Sequence, residues 1–235
     1  MKIKRVLLKL SGESLMGNQD SGISAERLEQ YVNDIAQLHQ QNIQIAIVIG
    51  GGNIFRGLSG VSEGFDRVTG DQMGMLATTI NSLAFQSALE KCGLRTNLFT
   101  AIHMPAIGNV FHAQTVIKEL KNNKIAVLAG GTGNPYFSTD TASALRALEI
   151  KADVFLKGTR VDGVYSDDPE KNPDAVKYES LSFEEAWNKK LHIMDLTAFT
   201  MCQENNLPVI VFNMNKKETL KKIINDPKFG TLIHN

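Results

Sequence analysis

Cations and carboxylates stand beside three glycine-rich turns, and each turn ends an apolar run. Lys9-Leu10-Ser11-Gly12 follows Val6–Leu8, Gly50-Gly51-Gly52-Asn53 follows Ile45–Ile49, and Gly130-Gly131-Thr132-Gly133-Asn134 follows Ile125–Leu128. Glycine lets backbone N–H groups approach a ligand in conformations other residues avoid. Successive N–H groups at a strand end form a concave anion site. Lys9 lies in the first turn, Arg56 follows the second and Asp140 the third. Phosphoryl transfer needs positioned positive charge and in-line alignment more than covalent help. Lys9 and Arg56 could bracket a moving phosphoryl group, with Asp140 orienting Lys9 through a charge-assisted hydrogen bond. A magnesium ion bound mainly by the donor phosphates would supply the remaining charge.

Other chemistries are disfavoured. The Walker spacing is absent, and the dinucleotide pattern begun at Gly131-Thr132-Gly133 is interrupted by Pro135 and has Tyr136 at its final glycine. His-Glu-x-x-His and paired Cys-x-x-Cys signals are missing, and the five histidines share no ligand spacing, so no metal site built from side chains is expected. The charge balance, 25 basic against 25 acidic residues, argues against nucleic acid or an anionic membrane as partner. Cys92 and Cys202 suit a reducing compartment. No apolar stretch approaches the roughly 20 residues that span a bilayer. A soluble, cytoplasmic protein is expected.

Positioning three turns together requires a sheet. Short Ile/Val/Leu-rich runs predict strands at about 3–10, 43–49, 94–99, 124–129, 152–157 and 208–213. Amphipathic stretches alternate with them: Leu28, Val32, Ile35 and Leu38 share one helical face, and Met73, Leu76, Ile80 and Leu83 another. Ser182 with Glu185 is a capping box opening a helix that carries Trp187, which reads as core. Asn215 with Glu218 reads as the start of the last helix. The pattern predicts an α/β fold, a three-layer αβα sandwich around a mostly parallel twisted sheet. Residues 1–235 form one domain, with a lobe boundary near 150. Ligands of such sheets sit outside the carboxyl ends of the strands, where all three turns and Gly158-Thr159-Arg160 fall. Arg67 reads as pairing with acids of its own loop, and Asp195 as the cap of a helix beginning near Thr197. Asp162 reads equally as a turn residue or a ligand, and the methionines as packing.

The stretch Val-Leu-Leu-Lys-Leu-Ser-Gly-Glu (6–13) resembles the opening of the amino acid kinase superfamily. Val-Ile-Gly-Gly-Gly-Asn-Ile-Phe-Arg-Gly (48–57), Gly-Asp-Gln-Met-Gly-Met-Leu-Ala-Thr (70–78) and Gly-Thr-Gly-Asn-Pro-Tyr-Phe-Ser-Thr-Asp (131–140) narrow the resemblance to its bacterial UMP kinases. Lys-Gly-Thr-Arg-Val-Asp-Gly-Val-Tyr (157–165) and Val-Phe-Asn-Met-Asn (211–215) agree. The resemblance implies ATP-dependent phosphorylation of UMP to UDP in pyrimidine nucleotide biosynthesis, with Mg2+, by a homohexamer of the amino acid kinase fold. It implies that Lys9, Leu10, Ser11 and Gly12 touch the donor phosphates, and Gly52 and Arg56 the reacting phosphates. Thr159, Tyr165 and Asp168 would form the adenosine pocket in an ATP lobe of about 151–235. Gly51, Asp71, Thr132, Gly133, Asn134, Pro135, Tyr136, Phe137, Ser138 and Thr139 would hold UMP in a lobe of about 1–150. Asp140 matches the aspartate that arranges the catalytic lysine. Relatives activated by GTP carry basic and aromatic side chains where this chain has Gln86, Glu90, Asn97 and Ala113, with only Lys124 basic. An amino acid acceptor would be repelled by Asp71, and a pure binding protein need not keep Lys9, Arg56 and Asp140.

Overall fold

The computed structural model describes residues 3–55 and 64–235. Side-chain parity along the first strands explains its layers. Strand β1 (Arg5–Leu10) sends Val6, Leu8 and Leu10 into one apolar cluster and Leu7 into another. Strand β2 (Gln44–Ile49) does the same with Ile45, Ile47 and Ile49 against Ala46 and Val48. Successive side chains of a strand face opposite ways, so strands apolar at every position must be covered on both sides.

Among the described residues one nine-stranded sheet runs in the order β4 (Asn109–Val110), β3 (Thr96–Thr100), β5 (Ile125–Ala129), β2, β1, β6 (Val154–Thr159), β10 (Val209–Asn213), β11 (Thr231–His234), β9 (Ser180–Ser182). Its pairs are parallel except β10 with β11. A separate antiparallel pair joins β7 (Val164–Tyr165) to β8 (Lys177–Tyr178). Helices α1 (Ala25–His39), α2 (Arg67–Lys91) and α7 (Thr219–Asn225) cover the Val6 face. Helices α3 (Ala113–Lys121), α4 (Thr139–Glu149), α5 (Phe183–Asn188) and α6 (Leu196–Glu204) cover the Leu7 face. The expected α/β sandwich is therefore what forms, and each of the six expected strands lies in the sheet. Strands β4, β7, β8, β9 and β11 span two to four residues, too few to show a period.

Neighbouring strands β5, β2, β1 and β6 end side by side, which gathers the glycine turns at one edge. A Cβ on Gly12 would collide with the Gly50 carbonyl oxygen, so the first two turns touch backbone to backbone. The third turn needs glycine differently: Gly130, Gly131 and Gly133 have φ of 79°, 61° and 82°, a region that costs other residues energy.

Three local expectations fail. Leu76, Ile80 and Leu83 are 48%, 51% and 38% exposed, and α2 turns Met75, Thr78, Asn81, Ser82, Phe85 and Leu89 inward. Apolar residues on both faces made the wrong face look like the core side. Trp187 is 58% exposed because α5 buries Phe183 and Ala186 instead. The last helix begins at Thr219, and Asn215 does not cap it. Asn215 Oδ1 accepts from the Tyr31 hydroxyl at 2.8 Å, and Asp34 of α1 takes the Glu218 N–H at 3.1 Å.

Candidate active site

The register of β1 on β6 sets Lys9 opposite Lys157. Like charges side by side on one sheet face repel, and a carboxylate resolves the conflict. Ser138 caps α4, its Oγ accepting from Thr141 N at 3.0 Å, and this starts the helix so that Asp140 lies in its first turn. Lys9 Nζ forms an ion pair with Asp140 Oδ1 at 2.9 Å. Lys157 Nζ donates to Asp140 Oδ2 at 2.5 Å and to the Ile193 carbonyl at 2.6 Å. Burial pushes the Asp140 pKa up, but the ammonium groups of Lys9 and then Lys157 outweigh it and hold it at about 2. Burial pushes the Lys157 ammonium down from its ordinary pKa; Asp140 opposes this and Lys9 adds to it.

This triad stands between two clefts. The larger, about 590 Å³, is lined by Lys157, Thr159, Tyr165, Asp168, Lys190 and Ile193. Here the three expected adenosine residues come together. Tyr165 donates its hydroxyl to Asp162 Oδ1 at 2.6 Å, which pushes the phenol up to about 12. Asp162 is partly buried, which raises its pKa, yet Tyr165 and Lys216 more than offset this and hold it below the usual range. Asp162 is thus a partner of Tyr165 and of Lys216, 3.1 Å away. Asp168 pairs with Lys171 at 3.4 Å.

The smaller cleft, about 200 Å³, is lined by Gly51, Gly52, Asp71, Thr132, Asn134, Phe137, Ser138 and Thr139 among others. Gly52, expected on the reacting phosphates, lies on this side. Gly133, Pro135 and Tyr136 do not line it; Gly133 packs against Ala101. Tyr136 is exposed, with φ 71°, and its N–H donates to Asp71 Oδ2 at 2.7 Å. The same oxygen accepts from Arg67 Nε at 2.7 Å, and the Arg67 guanidinium lies 5.4 Å from the Tyr136 ring centroid. Arg67, left out of the expected site, therefore holds one of its members. Leu10 is a core residue and can reach a ligand only through its backbone. Ser11 precedes the 3-10 turn Gly12–Met16. Arg56 lies outside the described residues.

Helix α2 supplies contacts that the motifs did not reveal. Asn81 donates to the Gly50 carbonyl at 2.7 Å and exchanges amide hydrogen bonds with Asn53, both side chains being buried. Thr78 Oγ1 accepts from Gly130 N at 2.9 Å. One helix thus fixes two of the three turns. Asp195 caps α6 as expected, one residue early, at Ala198 N (3.0 Å). It also accepts from Thr141 Oγ1 at 2.7 Å and from the Ser138 hydroxyl, tying α6 to the start of α4.

Residues 4–213 match the model of the amino acid kinase family. A uridylate kinase of Bacteroides thetaiotaomicron is 55% identical over 234 residues, covering all of this chain and 99% of that protein. A uridylate kinase of Phocaeicola vulgatus is 54% identical over the same share of each. The crystal structure of UMP kinase from Bacillus anthracis superposes with a TM-score of 0.96 at 34% identity, covering 100% of this chain and 97% of that one. UMP kinase from Ureaplasma parvum gives 0.94 at 34% identity, covering each chain fully. With its mostly parallel sheet, gathered glycine turns and partly buried lysine–aspartate pair, the chain belongs to the amino acid kinase family, on the branch of the uridylate kinases.

Proposed function

We propose that this nucleoside monophosphate kinase transfers the γ-phosphoryl group of ATP to UMP, giving UDP and ADP, by direct in-line displacement. One observation carries the reading: Asp140 follows a residue of the smaller cleft, Thr139, and binds a residue of the larger, Lys157, while pairing with Lys9. ATP occupies the larger cleft through Thr159, Tyr165 and Asp168, its phosphates extending toward the N–H groups of residues 9–12. UMP occupies the smaller cleft, with Asp71 accepting from the ribose. A UMP phosphate oxygen attacks the γ-phosphorus as the bond to the bridging oxygen breaks, and ADP leaves. Lys9 and Arg56 offset charge moving toward that oxygen, the kind of term that dominates such transfers.

Magnesium, which would neutralise phosphate charge, comes with the nucleotide in this reading. Asp140 has both oxygens engaged by lysines, and no group of three His, Cys, Asp or Glu side chains suited to a metal occurs among the described residues. The donor phosphates and water are then its ligands. Self-association, read as a homohexamer, is supported by α2, whose Val68, Leu76, Ile80 and Leu83 form an exposed apolar stripe. No described helix is long and apolar enough to cross a membrane. Residues 1–150 serve as the acceptor lobe and 151–235 as the ATP lobe.

The test is ADP release, coupled to a chromogenic readout, with UMP, CMP, acetylglutamate and aspartate as acceptors. Turnover with UMP is expected; turnover with an amino acid and none with UMP would sink the reading.

A further inference from the structure

Lys157 has so far been only a neighbour of the chemistry, yet it is the more firmly held of the two lysines. Two of its three ammonium donors are spent inside the protein, on Asp140 Oδ2 and on the Ile193 carbonyl. Lys9 Nζ pairs with Oδ1 at 2.9 Å, one contact where Lys157 has two, so donors of Lys9 remain available to another acceptor. A carboxylate shared between two cations binds each less tightly than it would bind one. We propose that Lys157 is a positioning residue for phosphoryl transfer: it anchors Asp140 from the opposite side, so that Lys9 is presented to the reacting phosphates and not captured by Asp140. The proposal rests on the UMP kinase reading above.

The surroundings make this specific. Asp140 faces Lys9 from β1 and Lys157 from β6, while Asp195, the cap of α6, lies near enough to favour the charged form of Lys157, and burial, Asp140 and Asp195 together push the neighbouring Cys202 thiol up. Without Lys157, Oδ2 would be a buried acceptor with no donor, which is costly, and Lys9 is the cation within reach to fill the gap. The loss would appear in turnover, since Lys9 would be drawn off its working position, and a displacement of about 1 Å can cost on the order of 10²-fold in rate. It would appear also in Asp140 itself, which loses one of the two charges holding it ionised.

The experiment compares full-length wild type with Lys157→Met and Lys157→Gln. It measures kcat, the KM values for ATP and UMP, and the titration of Asp140 by carbon NMR of labelled aspartate in the ligand-free protein. We expect kcat to fall roughly 10–100-fold with KM for UMP unchanged, and the Asp140 midpoint to move upward in both variants. In wild type Asp140 should stay ionised to the lowest pH at which the fold persists. Unchanged kcat in a folded variant would overturn the proposal. So would a rise in KM for ATP at constant kcat, which would make Lys157 a nucleotide ligand, or an Asp140 titration that does not move. If Lys157→Met does not fold, Lys157→Gln, which keeps a donor for Oδ2, decides the matter. A wild type that forms no UDP would sink the substrate reading separately, and the Asp140 titration would still test the anchoring.

Discussion

Replacing Asp140 by asparagine keeps the shape and removes the charge that two lysines share. The carboxyl has an ordinary pKa of 3.8 and is held at about 2 in the fold, so the folded surroundings favour its ionised form by ~2 kcal/mol. Because the folded value is the lower one, this stabilisation is complete above about pH 4 and is lost as pH falls toward 2. Asp140→Asn leaves two ammonium groups on adjacent strands with no anion between them. Removing one partner of a buried ion pair costs about 3–5 kcal/mol. Urea unfolding at neutral pH should show a loss of that order. Burial already lowers the Lys157 pKa, and without Asp140 it should fall further. The unfolded variant then binds more protons than the folded one, so its stability should rise with pH. Turnover should drop about 10²–10³-fold, with smaller changes in either KM. A double variant with Lys9→Ala should lose less than the two single losses combined. Wild-type stability together with wild-type kcat in Asp140→Asn would refute the reasoning, and fully additive losses would mean that Asp140 does not orient Lys9.

Three further outcomes follow from the acceptor side and the surface. Asp71→Asn should raise the KM for UMP about tenfold or more and spare ATP, since hydrogen bonds to a charged group contribute about 1.5–3 kcal/mol; wild type using 2′-deoxy-UMP as well as UMP would show that the ribose role is wrong. UMP should be strongly preferred over CMP on the proposal that Thr132 and Asn134 meet the edge of the base, since polar groups suited to uracil would then be left unpaired by cytosine at about 1–3 kcal/mol each; equal kcat/KM for the two would contradict this. GTP at millimolar concentration should change UDP formation only weakly, since Lys124 is already bound to Glu119 at 2.6 Å, Asn97 to the same carboxylate, and Gln86 to Glu90; several-fold activation abolished by Lys124→Ala would reverse that conclusion.

The layers were legible because each central strand is apolar at nearly every position, which only a doubly covered sheet tolerates. Helix α1 was legible because its inward residues, Asp34 apart, are apolar at helical spacing. Helix α2 was not. Its inner face carries Thr78, Asn81 and Ser82, which a periodicity argument assigns to solvent, and its outer face carries Leu76, Ile80 and Leu83. The inversion has a reason at each end: the polar residues hold the Gly50 and Gly130 turns, and the apolar stripe suits another surface. Pattern analysis fails at this helix because it serves the site and not only the core.

The centre of the site was half legible for a related reason. Lys9 announces itself beside a glycine turn, and Asp140 stands just past another. Lys157 lies inside an apolar strand, 148 residues from Lys9; it opens the 157–165 motif, but that motif points to the nucleotide pocket through Thr159 and Tyr165 and assigns Lys157 no role. What singles it out is the pairing of β1 with β6, which puts the two lysines at the same level on the same face. Two adjacent ammonium groups in a partly buried position demand an anion, and Asp140, carried on the first turn of α4, is the carboxylate that meets both. The signal was therefore present as a conditional one. Given parallel neighbours carrying Val-Leu-Leu-Lys and Val-Phe-Leu-Lys in register, a shared anion had to be found; strand order, which no local pattern encodes, was the missing premise.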